Sequence, residues 1–360
     1  QHHRYEKGNP FESAIQRYAY HEADTHLKKS LELLKLLPET PKRTQQEFVL
    51  RTTLALTLQA IRGYGSPEVE QAYVGVRARV GEVQSRAQLV RMLFGVCQLH
   101  LARAEYATAL EIGQQILGIA GEEQDTELLV EAHAIMGVIV FHQGKIQTVL
   151  THLKRSADLY DREQHRSHAA VYGQDPWVAS RSYSGLALWL LGYPQQAVQR
   201  ASEALRYAQE IEHPFSHAFA LHDLTLIYQF QRNLSAVQQH AEALLTLARE
   251  QKFPIWEITA RTLHAWVLVE QGQGETGIAI LRWGIDARLA VGMTLRIPYQ
   301  QARLAEACGK NNQLEEGLVL MERALATTVR TGEGWWEAEL YRLKGELTLQ
   351  QEKQKAKIKT

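Results

Sequence analysis

Cysteine is nearly absent. Cys97 and Cys308 are the only two in 360 residues, and they fall in predicted helices far apart in the chain. They cannot staple a fold and read as small apolar core residues. An excess of one charge is missing as well: forty basic and forty acidic residues cancel. That excludes a general attraction to nucleic acid or to an anionic membrane, because both need a basic surface. No apolar run approaches the roughly 18–20 residues that cross a bilayer, and no secretory leader is visible. The low cysteine usage suits a reducing cytosol, and a cytoplasmic location is expected.

Catalytic signatures are missing too. There is no Gly-x-Ser-x-Gly elbow, no Cys/His arrangement and no phosphate-binding loop. The stretch Gly272-Gln-Gly-Glu-Thr-Gly277 lacks the lysine such a loop needs and lies in a predicted hairpin turn. His213, His217 and His222 fall near one another, and the first two share a helix face. No third ligand or supporting group accompanies them, however, so they read as packing or surface residues. The same holds for His165 and His168. No metal, no cofactor and no enzyme activity are expected.

What the chain does contain is a beat. The stretch Gly185-Leu-Ala-Leu-Trp-Leu-Leu-Gly192-Tyr-Pro-Gln-Gln-Ala197 is an apolar helix, a Gly-Tyr-Pro stop and the start of a second helix. The Ala197 position recurs at Ala109, Val149, Val237, Gly277 and Gly317, spaced by 40, 48, 40, 40 and 40 when taken in order through Ala197. Twelve residues earlier stand Cys97, Gly137, Gly185, Thr225, Ala265 and Ala305. Neither column holds a large side chain, as expected where two antiparallel helices approach closely. A period in the range of about 20–50 residues signals a solenoid, whose core grows lengthwise as hairpins stack.

The chain divides accordingly. Residues 1–9 read as leader or disordered sequence, and a chain that opens without Met, part-way into the pattern, is expected to be a fragment. Hairpins are expected over about 10–37, 41–83, 85–120, 125–160, 175–212, 213–252, 254–292 and 294–331, followed by a terminal helix at 333–350 and a frayed basic tail at 351–360.

The 48-residue interval breaks the beat. Residues 161–176 carry about eight residues more than the neighbouring repeats need, and insertions into a repeat map to loops on one face, often the binding face. Arg166, Tyr172, Gln174, Asp175, Trp177 and Arg181 bring two guanidinium forks and a hydrogen-bonding edge to that loop and the helix after it. Such forks hold a carboxylate or phosphate. The structural alternative is that Asp175 caps the helix opening at Pro176 and the others tie the loop down. Trp189 and the other tryptophans (Trp177, Trp256, Trp266, Trp283, Trp335 and Trp336) crowd the C-terminal half, where they either fill seams between hairpins or line a concave groove.

The spacing of small residues resembles the tetratricopeptide (TPR) hairpin, with each helix nearly a turn longer. Longer strings add to this: Gly63-Tyr-Gly-Ser-Pro-Glu-Val-Glu-Gln-Ala-Tyr73, Tyr172-Gly-Gln-Asp-Pro176, Ala187-Leu-Trp-Leu-Leu-Gly-Tyr-Pro194, Glu270-Gln-Gly-Gln-Gly-Glu275 and Glu337-Ala-Glu-Leu-Tyr-Arg-Leu-Lys-Gly-Glu346. Together they resemble the C-terminal helical-repeat region of large bacterial signalling proteins. In those, a class III adenylate/guanylate cyclase domain or another effector precedes an AAA/STAND-type ATPase. The resemblance implies an all-α, TPR-like right-handed solenoid of about eight hairpins. It also implies a regulatory role: a sensor arm that controls the attached ATPase or cyclase and takes a protein or peptide in its concave groove. The alternative is a free-standing peptide receptor or assembly scaffold on the same repeats.

Overall fold

The computed structural model describes residues 20–77 and 85–359. The expected leader at 1–9, the first half of the 10–37 hairpin and most of the end of the 41–83 hairpin lie outside those residues. Among the described residues there are seventeen helices and no strand. The first three are α1 (Tyr20–Leu34), α2 (Pro41–Arg62) and α3 (Pro67–Arg77). Three more carry the chain towards the long loop: α4 (Arg86–Ala102), α5 (Tyr106–Glu123) and α6 (Thr126–His142). α7 (Ile146–Leu159) leads into that loop, and the five-residue α8 (His168–Tyr172) lies within it. The regular array continues with α9 (Pro176–Leu190), α10 (Pro194–Glu210), α11 (Pro214–Phe230) and α12 (Leu234–Gln251). It ends with α13 (Pro254–Glu270), α14 (Gly274–Ala290), α15 (Ile297–Lys310), α16 (Leu314–Thr331) and α17 (Glu337–Lys359). This is a TPR-like α-solenoid of stacked antiparallel hairpins.

Local chemistry sets the boundaries. Thr40, Ser85, Asp125, Asp175 and Asn233 each accept an amide of the first helical turn on a side-chain oxygen, satisfying donors that the helix itself cannot. Pro41, Pro176, Pro194, Pro214 and Pro254 occupy first-turn positions, where a missing N–H costs nothing. Inside the hairpins the turns are copies of one another. Ala104, Gly144, Gly192, Arg232, Gly272 and Asn312 all have positive φ, between 55° and 86°. The amide after each reaches back five residues, as Glu105 does to His100 and Gln313 to Cys308 (both 2.9 Å). Their spacing follows the small-residue columns.

Within a hairpin the two helices differ in burial. α6 buries Leu128, Val130, Ala132, Ile135, Ile139 and Phe141, spread around its circumference. α10 buries a single stripe, Ala197, Ala201, Ala204 and Ala208. First helices therefore form the interior and second helices the outer wall. The small columns sit at the seam. Cys97 Sγ lies 3.4 Å from the Ala109 carbonyl. A Cβ on Gly185 would come within 2.9 Å of the Ala197 carbonyl, one on Gly277 within 2.8 Å of the Ala265 carbonyl, and one on Gly317 within 3.1 Å of the Ala305 carbonyl. Gly137, which pairs with the buried Val149, gives way to Leu153 instead, while Thr225 and Val237 pair with each other, both buried and with no glycine in either place.

Three boundaries differ from the sequence expectation. α17 starts at Glu337 rather than 333 and continues past Gln350 through the basic tail to Lys359. Gln, Glu, Lys and Ala are good helix formers, and no Gly or Pro stops them there. α5 runs on through Gly121 to Glu123. The long loop contains a helical turn, α8, closed by Gly173 at φ 81°.

The array also closes on itself. Two inter-hairpin loops, 292–296 and 332–336, reach across the interior to earlier turns. The amides of Thr294 and Leu295 donate to the Ala102 carbonyl at 2.8 and 2.9 Å, and that of Gly334 donates to the His142 carbonyl at 2.8 Å. Gly65 meets Gly292 backbone to backbone: a Cβ on Gly65 would lie 2.1 Å from the Gly292 carbonyl oxygen. Tyr64 packs edge-on to Phe215 at 5.7 Å.

Candidate functional site

Because the array closes, its first helices line a central cavity. α4, α6, α9, α11, α13 and α15 all line it, so no single repeat owns the site. Tyr64, Phe94, Tyr183, Phe219 and Trp256 give it aromatic walls.

One wall is cationic. Arg296 Nη1 lies 3.3 Å from Asp223 Oδ1, and His222 Nδ1 lies 2.9 Å from the same oxygen. Burial would raise the Asp223 carboxyl, but Arg296 and His222 outweigh it and hold the pKa below the usual carboxylate value. Arg288, in the last turn of α14, is also buried at this wall. Its Nη2 donates to the Leu295 carbonyl at 3.0 Å, and its Nη1 lies 3.4 Å from Thr259 Oγ1. Burial and the neighbouring Arg296 pull its pKa down to about 10, which still leaves it charged at neutral pH.

The other wall carries Glu131, 2.8 Å from His168 Nδ1. Burial pushes the Glu131 carboxyl up to about 7 against the pull of His168. His142, stacked on Tyr106, is kept neutral by burial and makes a 3.0 Å hydrogen bond with Tyr183 Oη.

Six polar atoms of cavity-lining residues are buried and have no partner among the described residues: Gln98 Oε1, His142 Nδ1, Gln174 Nε2, Trp256 Nε1, Arg288 Nε and Arg296 Nε. An unsatisfied buried polar atom costs about 1–3 kcal/mol. These are the atoms that a polar molecule inside the superhelix would engage.

The residues singled out in the long loop do not form one site. Gln174 and Asp175 line the cavity. Asp175 caps α9 through the Val178 amide (2.9 Å) and accepts from Tyr160 Oη (2.7 Å), while its own amide donates to Ser216 Oγ (2.9 Å). Tyr172 is buried edge-on to Phe94 at 5.1 Å. Trp177 and Arg181 belong to a different face. The Arg181 guanidinium lies 4.9 Å over Trp177, and Trp177 packs on Tyr207 at 4.9 Å. Arg162 covers Tyr207 at 4.5 Å. Arg166 is exposed. Trp189 leans on Phe230 at 5.9 Å.

The other tryptophans divide. Trp256 lines the cavity, Trp335 and Trp336 fill a buried cluster with Tyr299, and Trp283 lies half-exposed under Arg261. Among the described residues no group of three or more His, Cys, Asp or Glu side chains could hold a metal ion, and no helix is long and apolar enough to cross a membrane.

Sequence reasoning missed Arg288, Arg296, Gln98 and His142. One signal was present: the buried stripe of α14 runs Gly277, Leu281, Ile285 and then Arg288, a charge where the period asks for an apolar residue.

No described protein family's profile matches the chain. An uncharacterised protein of Rhizobium meliloti (strain 1021) is 18% identical over 329 residues, which cover 91% of this chain. The chain spans only about a third of that relative's length, 32%. Two solved structures share the fold. One is a Rap protein complexed with competence and sporulation factor: TM-score 0.60, 10% identity, 95% of this chain and 98% of that one. The other is NprR in complex with its cognate peptide NprX: TM-score 0.53, 15% identity, 94% and 96%. A signal-transduction ATPase with a tetratricopeptide sensor from Pyrococcus horikoshii overlaps 93% of this chain and 52% of its own at a TM-score of 0.47, too low to carry an argument.

Proposed function

We propose that this chain is a regulatory binding domain that takes a short peptide into the centre of its closed superhelix. The observation that carries the reading is the cavity: aromatic walls with six unpartnered buried polar atoms, contributed by helices from successive hairpins. A peptide suits this mixture, since its backbone alternates donors and acceptors while its side chains take apolar contacts. NprR, which holds its cognate peptide NprX on the same fold, supports the reading. Because the lining comes from many repeats, ligand contacts would tie them together and favour the closed winding over an open one.

The test is affinity selection of synthetic peptides of about five residues by the purified chain, followed by hydrogen exchange on the complex. Protection should concentrate in α4, α6, α11 and α13. Protection confined to the outer helices α5, α7, α10 and α12 would move the site to the convex face and refute the proposal.

A second reading keeps the domain as the sensor arm of a larger signalling protein. The Rhizobium meliloti relative, about three times as long as the matched segment, favours it. Domain content of the parent reading frame tests it: an upstream phosphate-binding loop and effector domain support the arm, and their absence favours a free-standing receptor.

A further inference from the structure

Arg288 is the buried charge that the fold itself leaves without a counter-ion. Among the described residues no carboxylate oxygen comes within 4.0 Å of its guanidinium. The acidic groups nearby are already engaged. Asp223 serves Arg296 and His222, and Glu333 accepts from Tyr106, Trp335 and the Arg296 amide. Two of Arg288's nitrogens touch neutral oxygens, and Nε, the third, has no partner. Arg296 beside it also has an unpartnered Nε. A buried guanidinium is ordinarily paired. Here the pairing group has to come from within the cavity that Arg288 lines.

We infer that Arg288 anchors a carboxylate of the ligand held in the central cavity, either the free C-terminus of a short peptide or the side chain of an Asp or Glu within it. This rests on the cavity being the ligand site. One guanidinium in excess, set among Ile255, Trp256 and Met293, matches a single negative charge on an otherwise apolar molecule. A phosphate, with more charge to neutralise, would need further donors. A forked guanidinium–carboxylate contact would also fix which end of the peptide enters first.

The full chain is tested with two kinds of probe. The small probe is 3-phenylpropionate against its amide, 3-phenylpropanamide, read as a shift in melting temperature, with inorganic phosphate as a control anion. The larger probe is a pool of N-acetylated pentapeptides, made with a free or an amidated C-terminus and with or without Asp and Glu. The acid should bind about ten- to a hundredfold more tightly than the matching amide, as for loss of a charge-assisted hydrogen bond. Arg288→Met should erase that preference, with circular dichroism of the ligand-free protein checking that it stays folded once the bonds to Leu295 and Thr259 are lost along with the charge. Arg288→Lys, which keeps the charge, should retain part of the preference.

In the peptide pools, amidation or removal of acidic residues tells a C-terminal from a side-chain carboxylate. Equal binding of acid and amide, a preference that survives in Arg288→Met, or phosphate binding as well as the acid overturns the inference. If the small acid binds through Arg288 and no peptide is retained, the carboxylate site stands and the peptide reading falls. If peptides are retained without regard to their carboxylates, the reverse holds, and if neither probe binds, both fall.

Discussion

Tyr106 Oη donates to Glu333 Oε2 at 2.7 Å, joining residues 227 apart in the chain. The hydroxyl comes from the start of α5 and the carboxylate from the loop before α17. Glu333 is buried, and burial raises its carboxyl pKa against the pull of its hydrogen-bond donors. The bond is therefore a clasp between early and late repeats. Tyr106→Phe keeps the ring stacked on His142 and removes only the donor. It should cost about 1.5–3 kcal/mol, as for a hydrogen bond to a charged or strongly polarised group. Urea unfolding measures the loss, and small-angle scattering should show a larger radius of gyration. A variant with wild-type stability and dimensions would show that the clasp is incidental.

The backbone contact of Gly65 with Gly292 makes a second, purely steric test of closure. Gly65→Ala places a methyl group where the Gly292 carbonyl stands, so the two loops have to part. Overpacking of this kind costs roughly 1–3 kcal/mol. Gly118→Ala is the contrast: this glycine is exposed in the middle of α5, and its Cβ would meet nothing within 4 Å. That change should stabilise by about 0.5–1 kcal/mol through helix propensity alone. Thermal denaturation of the pair checks both signs. Equal behaviour would mean that the Gly65 loop is not held against its partner.

The repeat was legible because what makes it is local. Gly192 ends a helix, Pro194 begins the next, and Gly185 and Ala197 meet across the hairpin they form, all within about a dozen residues of sequence. The closure was not legible. Whether Gly334 reaches His142, or Gly65 reaches Gly292, depends on small rotations accumulated over many hairpins, which no pattern of residue types records. The site inherited that gap. The 161–176 insertion led to Gln174 and Asp175, which do face the cavity, but also to Arg166, Trp177 and Arg181, which do not. Arg288 lies far from the insertion in sequence and joins the cavity only after the array has wound round.

His213 makes the fold sensitive to acid. Its Nδ1 accepts the Ser216 amide at 3.1 Å at the start of α11, so the neutral ring is the capping form. Burial lowers its pKa from 6.5 to about 3. The unfolded chain therefore takes up the proton first. The stabilisation is fully present above about pH 6.5 and is lost as pH falls towards about 3. His213→Asn supplies a capping oxygen that does not titrate. Between neutral pH and about pH 5, wild type should lose stability relative to the variant by up to about 1.4 kcal/mol per pH unit. Parallel stability curves from urea unfolding across that range would contradict the assignment.

Filling the cavity tests the central claim most directly. Ala179 lies on α9 with its methyl group at the cavity wall. Ala179→Trp would place an indole in the space assigned to the ligand, leaving the turns, the small-residue seams and the Tyr106–Glu333 clasp untouched. The measurement is peptide affinity of this variant against wild type by calorimetry, alongside circular dichroism and melting temperature. The account predicts a folded superhelix whose affinity falls by more than about tenfold, or about 1.4 kcal/mol. A folded variant that binds the selected peptide as tightly as wild type would place the ligand somewhere other than the centre of the coil.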